Sequence, residues 1–228
     1  MTALSTHPEP PAGRTIVVAT DFDRTFTHTN LLLSKEALHR AAELRKAGIV
    51  TLLATGRTEA HLPLHRLAPC FDGFVLEGGA VWGRPGRWSI HTTHPSFWSA
   101  ADVLEGLGNP VQRGWASFSA PVAPLQGGAN VRRNRDSYDV TPPGVDKSTG
   151  LRSILEELRV ERPWILAVGD ALNDIPFSGL ADVTVAVANA EPEFVRAASI
   201  HAPEEADRGF LWAVHRLGRT TMPPSRSP

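Results

Sequence analysis

One cysteine, Cys70, is the only thiol this chain carries. No intrachain disulfide can form, nothing marks an oxidising compartment, and a cytoplasmic location is expected. Charge of one sign is missing as well. The 23 Lys and Arg stand against 24 Asp and Glu, a net charge of −1, which leaves no global basic field for nucleic acid. No uninterrupted apolar run approaches the ~20 residues that span a bilayer, and residues 1–11 lack a basic segment followed by an apolar one. Neither secretion nor membrane spanning is expected. Internal repeats and long low-complexity segments are absent too. What is present is a chain of 228 residues with 42% apolar and 21% charged residues, enough for one large domain or for a core with an inserted module.

Prolines gather at Pro8, Pro10 and Pro11 and again at Pro223, Pro224 and Pro228, so residues 1–13 and 219–228 are expected to be loose tails. Between them, apolar runs rich in β-branched residues alternate with helical stretches. The runs are Ile16-Val-Val-Ala, Val50-Thr-Leu-Leu-Ala, Phe74-Val-Leu, Ile165-Leu-Ala-Val and Val183-Thr-Val-Ala-Val. This alternation predicts an α/β fold with a doubly wound, mainly parallel sheet. Ser34 is placed to cap a helix over 35–47 that Gly48 ends, a second helix covers 147–158, and a terminal one runs from Phe210 to Leu217 after Gly209. From about residue 80 the texture shifts to Gly, Pro, Ser and Trp, with candidate strands near 81–82, 88–92, 115–119 and 138–140 and one helix over 96–107. This reads as an inserted α/β module over 80–143, with 14–79 and 144–218 forming the core.

Acidic and hydroxyl residues follow directly on the apolar runs, at the carboxyl ends of the expected strands, where open α/β sheets place their sites. The first run ends in Thr20-Asp21-Phe22-Asp23-Arg24-Thr25, the second in Thr55-Gly56-Arg57, and the run at Ile165 in Gly169-Asp170-Ala171-Leu172-Asn173-Asp174, while Lys147 opens a helix. Singly, each has a plain structural explanation, since Asp and Thr are common in turns and caps and a first-turn lysine is usually solvated. The ordered set is specific. A dianionic phosphoryl group repels an attacking carboxylate unless a cation intervenes, and further carboxylates are the natural hard-oxygen ligands for Mg²⁺. Asp21, Asp170 and Asp174 supply that charge. Asp23, two positions beyond Asp21 on the turn that leaves the strand, can face the departing oxygen and act as general acid, then as base toward water. Thr55 and Lys147 suit the equatorial phosphoryl oxygens, with Gly56 and Thr25 beside them.

On these residues the chain resembles the haloacid dehalogenase-like superfamily, over most of 15–217. Asp21-Phe-Asp-Arg-Thr matches the first motif, Thr55 the second, Lys147 the third and Gly169-Asp-Ala-Leu-Asn-Asp174 the fourth. The position of the insert resembles the type II cap of the Cof-like, sucrose-phosphatase and mannosyl-3-phosphoglycerate-phosphatase branch. The resemblance implies a Mg²⁺-dependent phosphatase acting on a small phosphorylated metabolite. It makes Asp21 the nucleophile and puts the metal on the Asp21 carboxylate, the Asp23 main-chain carbonyl and the Asp170 carboxylate, with Asp174 direct or through water and Asn173 positioning the turn. A phosphomutase, or a phospho-acceptor regulator, would use a similar set. The insert and Asp23, which suits water activation, speak against the regulator.

Two positions depart from the pattern. Arg24 stands where the family usually has a small residue, and pairing with a cap carboxylate is favoured for it over a substrate role. Glu77-Gly78-Gly79-Ala80 lies where relatives often show Asn-Gly-Ala. In the insert, Arg132-Arg133-Asn134-Arg135 is a local basic cluster. Arg132, Arg133 and Arg135, with Arg57, are candidate contacts for a substrate carboxylate or second phosphate, although a solvated face is the favoured reading of the cluster. His91 and His94 lack a third ligand at metal spacing, and Cys70 reads as core packing. Oligomeric state is left open.

Overall fold

The computed structural model describes residues 10–124, 129–215 and 217. Of the tails expected at 1–13 and 219–228, residues 1–9 and 219–228 lie outside the described residues. Along the chain come β1 (Thr15–Asp21), α1 (Lys35–Lys46), β2 (Val50–Ala54), α2 (Leu64–Leu67) and β3 (Gly73–Leu76). Then follow β4 (Val81–Arg84), β5 (Arg87–Ile90), α3 (Pro95–Gly106), β6 (Gln112–Arg113), β7 (Phe118–Ala120), β8 (Asn130–Asn134) and β9 (Ser137–Thr141). The remainder is α4 (Lys147–Glu157), β10 (Pro163–Gly169), β11 (Val183–Ala186), α5 (Pro192–Ala197), β12 (Ile200–His201) and α6 (Ala206–Val214).

Eight strands form one sheet in the order β12-β11-β10-β1-β2-β3-β4-β5, parallel from β12 to β3 and antiparallel from β3 to β5. The expected α/β class with a mainly parallel sheet is what the chain adopts. β1 sits at the centre between β10 and β2, with Val17, Val18 and Ala19 buried, so Asp21 emerges at the middle of the sheet's carboxyl edge. Two apolar layers cover the faces. One holds Phe26, Phe71, Phe74 and Phe210 around α1 and α6; the other holds Val17, Leu52, Leu151, Ile154 and Phe177 beneath α4.

Local signals account for the helix ends. The Ser34 hydroxyl accepts the Ala37 N–H at 3.2 Å, and Gly48, just past the end of α1, takes φ +81°. Asp146 caps α4 by accepting the N–H groups of Ser148 and Thr149 at 2.9 and 3.1 Å. The terminal helix starts earlier than its periodicity predicts. Gly209 lies inside α6 and does not precede it, because the helix passes so close to the chain there that a Cβ would stand 2.5 Å from the Glu204 carbonyl oxygen.

The second sheet has the order β6-β7-β9-β8, all antiparallel, and α3 packs Phe97, Ala101 and Leu104 onto its Phe118 and Val140. The separate layer is therefore shorter than the insert expected over 80–143. β4 and β5 belong to the large sheet, because the chain reverses within 77–79 and hydrogen-bonds straight back onto β3. Gly79 makes that reversal possible. It has φ +109°, and a Cβ there would lie 1.9 Å from the Asp146 carbonyl oxygen. Two more differences concern single elements. Within the segment expected as a strand at 115–119 only Phe118 and Ser119 pair, and the basic cluster at 132–135 is strand β8 and the turn after it. A buried joint links the two sheets. The Glu77 carboxylate accepts the main-chain N–H groups of Trp115 and Ala116, each at 2.9 Å, and the Ser117 hydroxyl at 3.0 Å.

Candidate active site

Asp21, Asp170 and Asp174 come from the carboxyl ends of β1 and β10, and each offers a carboxylate oxygen such that the three lie within 4.8 Å of one another. All three are buried. Asp174 is fixed by the turn it sits on. Its Oδ2 accepts the N–H groups of Asp170 and Ala171 at 2.9 and 3.1 Å, which requires Gly169 to have no Cβ, since one would fall 2.6 Å from that oxygen. The Lys147 ammonium, 1% exposed, donates to Asp21 Oδ1 at 2.5 Å, Asp174 Oδ1 at 2.6 Å and Asn173 Oδ1 at 3.4 Å. Thr25 donates to Asp170 Oδ1 at 3.4 Å.

Burial is the largest influence on these charges. It pushes the Asp21 carboxyl well above the usual carboxylate range, helped by Asp174, Asp170 and Asp23 and opposed by Lys147. Burial and the neighbouring Asp174 raise Asp170 to about 6, against the pull of Arg135. For Lys147, burial works against the charge, but Asp174 and Asp21 more than offset it and the group is held above its ordinary value. The site thus concentrates carboxylates beyond what a single ammonium neutralises, as expected where a further cation or a proton is to be held.

Asp23 takes another place. Its carboxylate is gripped at two points by Arg57, Nη2 to Oδ1 at 2.6 Å and Nε to Oδ2 at 2.8 Å, and it does not join the triad of carboxylates. Arg57, expected as a substrate contact, is occupied by Asp23 and by the His61 carbonyl oxygen at 3.0 Å, with its guanidinium 5.2 Å from the Phe22 ring centre. Thr55 is buried and accepts the Arg57 N–H at 3.1 Å.

A cavity of about 180 Å³ opens over these groups, with Asp21, Asp23, Thr55, Gly56 and Asp170 on one side and residues of the small sheet on the other. The basic cluster divides there. Arg132 lies 3.8 Å from Asp146 and Arg133 3.5 Å from Glu191, and neither lines the cavity. Arg135 does line it, and it forms an ion pair with Asp170. Arg24 also lines it, with no acidic side chain within ion-pair distance among the described residues, so the cap pairing favoured from the sequence does not form.

Sequence reasoning missed Asp139 entirely. On β9, it accepts the side-chain amides of Asn134 and Asn173, both at 3.0 Å, and burial raises its carboxyl above the usual range. It approaches Gly56 so closely that a Cβ there would stand 2.7 Å from its Oδ2. The Gly after Thr55 was the available signal, without a partner to attach it to. Gln112, Ser119 and Ser137 complete the wall.

The comparisons with known proteins agree with this geometry. Residues 121–214 match the family model described as haloacid dehalogenase-like hydrolase. The phosphoglycolate phosphatase of Natronomonas pharaonis is 30% identical over 159 residues, which cover 61% of this chain and 70% of that protein. The chain belongs to the haloacid dehalogenase-like hydrolases. A second member, the phosphoglycolate phosphatase of Methanothermobacter thermautotrophicus, is 27% identical over 218 residues, covering 88% of this chain and 97% of the relative. Among solved structures, a phosphatase of this superfamily from Bacteroides thetaiotaomicron, BT1666, superposes with a TM-score of 0.74 at 20% identity over 93% of this chain and 99% of its own. The subclass IIB sugar phosphatase BT4131 reaches 0.77 at 16% identity over 91% and 100%. These two show the fold of this haloacid dehalogenase-like hydrolase. No described helix is long and apolar enough to cross a membrane.

Proposed function

We propose that this enzyme hydrolyses a small phosphorylated metabolite in two steps, through a phosphate ester of Asp21, with Mg²⁺ at the carboxylate triad. The enzyme class, phosphomonoester hydrolase, is carried by the family and by its phosphatase relatives. The observation that carries the mechanism is the convergence of Asp21, Asp170, Asp174 and Lys147 beneath one cavity.

The donor set fits a hard divalent cation: three buried carboxylates and no thiolate or imidazole. Asp21 and Asp170 would hold it directly with the Asp23 carbonyl. Both oxygens of Asp174 are engaged by Lys147 and by main-chain N–H groups, which suits contact through water. When bound, the ion neutralises charge that develops on the phosphoryl group.

The remaining work falls to side chains. Among the described residues nothing donates to Asp21 Oδ2, which is the oxygen free to attack phosphorus. As the new P–O bond forms, the bond to the leaving oxygen breaks and that oxygen takes a proton from Asp23, one of whose oxygens leaves Arg57 to carry it. Water then attacks phosphorus, gives a proton back to Asp23, and frees phosphate and the Asp21 carboxylate. Lys147 and Thr55 hold equatorial oxygens, and Arg57 keeps Asp23 in place. The small sheet and α3 act as the cap that closes the cavity against bulk water.

The test is phosphate release from a panel of phosphorylated metabolites with Mg²⁺ and with a chelator. Turnover should appear with the metal and fall at least tenfold without it; a panel inert in both conditions removes the proposal. Stability gives a second check. Asp170, pushed up to about 6 by burial, binds more protons when folded than when unfolded, so its contribution is present at low pH and lost as pH rises through about 6. Mg²⁺ binds the ionised form and competes with that proton. At 100 times its dissociation constant it should add about 2.7 kcal/mol at pH 7.5, roughly 5–10 °C in Tm, and much less at pH 5. An equal shift at both pH values would place the ion elsewhere.

A further inference from the structure

We infer that Arg24 reads an anionic substituent on the leaving group, so that the preferred substrates are phosphomonoesters carrying a second negative charge, such as a carboxylate. This rests on the phosphatase reading above and narrows it to a substrate class.

Three guanidinium groups line the cavity, and two of them are spent. Arg57 is held by both oxygens of Asp23, and Arg135 is held by Asp170. Arg24 alone of the three has no carboxylate partner among the described residues. Its position is built. The residue sits at φ +56°, a left-handed conformation that disfavours side chains, and it is kept there from both sides. Its N–H donates to the Thr27 hydroxyl at 2.9 Å, and its carbonyl oxygen accepts the Asn189 side-chain amide at 3.0 Å. Asn189 is itself anchored, because its Oδ1 accepts the Ala206 N–H at 2.6 Å. A glycine would meet the backbone requirement without strain, so the arginine is retained against local preference at the place where it adds a charge to the cavity.

Location sets the ligand. Arg24 directly follows Asp23, the residue that faces the leaving oxygen in the proposed chemistry, whereas Lys147 and the carboxylates that would hold a metal belong to the side of the transferred phosphoryl group. A guanidinium beside the leaving oxygen therefore meets the body of the departing alcohol. The cavity, about 180 Å³, admits only a small one. Its other polar neighbours on the small sheet, Ser119, Ser137 and Asp139, offer partners for hydroxyl groups, and among the described residues there is no further free cation in the lining. A compact hydroxy acid, with its carboxylate on Arg24, satisfies the wall as it stands.

The experiment compares matched pairs in which CH₂OH replaces the carboxylate: phosphoglycolate against 2-hydroxyethyl phosphate, and 3-phosphoglycerate against glycerol 3-phosphate. p-Nitrophenyl phosphate reports the chemistry itself. The unaltered enzyme should favour the acids at least tenfold in kcat/KM. Arg24→Gln should lose roughly 10–100-fold on the acids and less than about threefold on the neutral partners, a loss typical of one charged hydrogen bond. Arg24→Lys should keep part of the preference. Arg24→Gly relieves the backbone and supplies a folded variant if the glutamine chain is unstable. Equal rates on acids and neutrals in the unaltered enzyme, or an unchanged ratio in both Arg24→Gln and Arg24→Gly, overturns the inference. So does an equal fall on p-nitrophenyl phosphate, which would place Arg24 on the transferred group. If the unaltered enzyme leaves every compound intact in Mg²⁺, the phosphatase reading itself fails.

Discussion

Asp21→Asn is expected to lower kcat on every phosphomonoester by roughly 10⁴–10⁶-fold, in the range seen when a member of a catalytic unit is removed. The amide keeps the shape of the carboxylate but cannot form the ester to phosphorus, and no second carboxylate is placed to replace it: Asp170 is tied to Arg135, and Asp174 to Lys147 and the main chain. Stability should move the other way. Burial and three acidic neighbours raise the Asp21 carboxyl, so at neutral pH its ionisation costs the fold free energy. The asparagine variant should therefore melt at or above the temperature of the unaltered chain in the absence of metal. Phosphate release and thermal melting on the same preparation check both halves. A variant that is inactive and also melts lower would mean that Asp21 holds the fold together, and its loss of activity would say nothing of nucleophilic attack.

Lys147→Met is expected to give the opposite pattern, with stability and activity lost together. Lys147 is the sole ammonium at the triad among the described residues, 1% exposed, and its removal leaves Asp21 and Asp174 buried without their counter-ion. Breaking a buried pair from one side costs about 3–5 kcal/mol, which for a chain of this size is roughly 6–20 °C in Tm. The deficit should shrink as pH falls. Burial already raises the Asp21 carboxyl and Lys147 opposes that rise, so without the ammonium Asp21 binds a proton more readily in the folded chain; the penalty is full at neutral pH and relaxes as Asp21 becomes neutral. Denaturant melts at pH 5 and pH 7.5 measure this directly. A deficit that does not change with pH would assign the loss to packing of the lysine stem against Phe177, whose ring centre is 5.9 Å from the ammonium.

The centre of the large sheet was legible because β1, β2 and β10 are buried on both faces and read as unbroken apolar runs, each ending in the polar residues that form the site. The small sheet was harder to read. β8, Asn130–Asn134, is half exposed and mostly polar, so its period-2 pattern carries no apolar signal, and its arginines read as a charge cluster. Alternation then decides their fates: Arg132 and Arg133 point to different partners, and Arg135, in the turn after the strand, reaches Asp170. β4 and β5 were given to the insert on composition, whereas three successive positive-φ residues, Glu77, Gly78 and Gly79, return the chain to the large sheet. Asp139 and the Arg57–Asp23 pair were invisible for a different reason. Both depend on contacts between residues 34 positions apart, Asp139 with Asn173 and Arg57 with Asp23, and no local pattern encodes such a meeting.

The joint at Glu77 bears on how this enzyme can change over time. Its carboxylate grips the main-chain N–H groups of Trp115 and Ala116, which every residue except proline supplies. Side chains of the small sheet that make no contact with the core can therefore be exchanged while this attachment stays the same. Wall positions such as Ser119 and Ser137 are free to drift, and the machinery that cuts the phosphate ester does not have to drift with them.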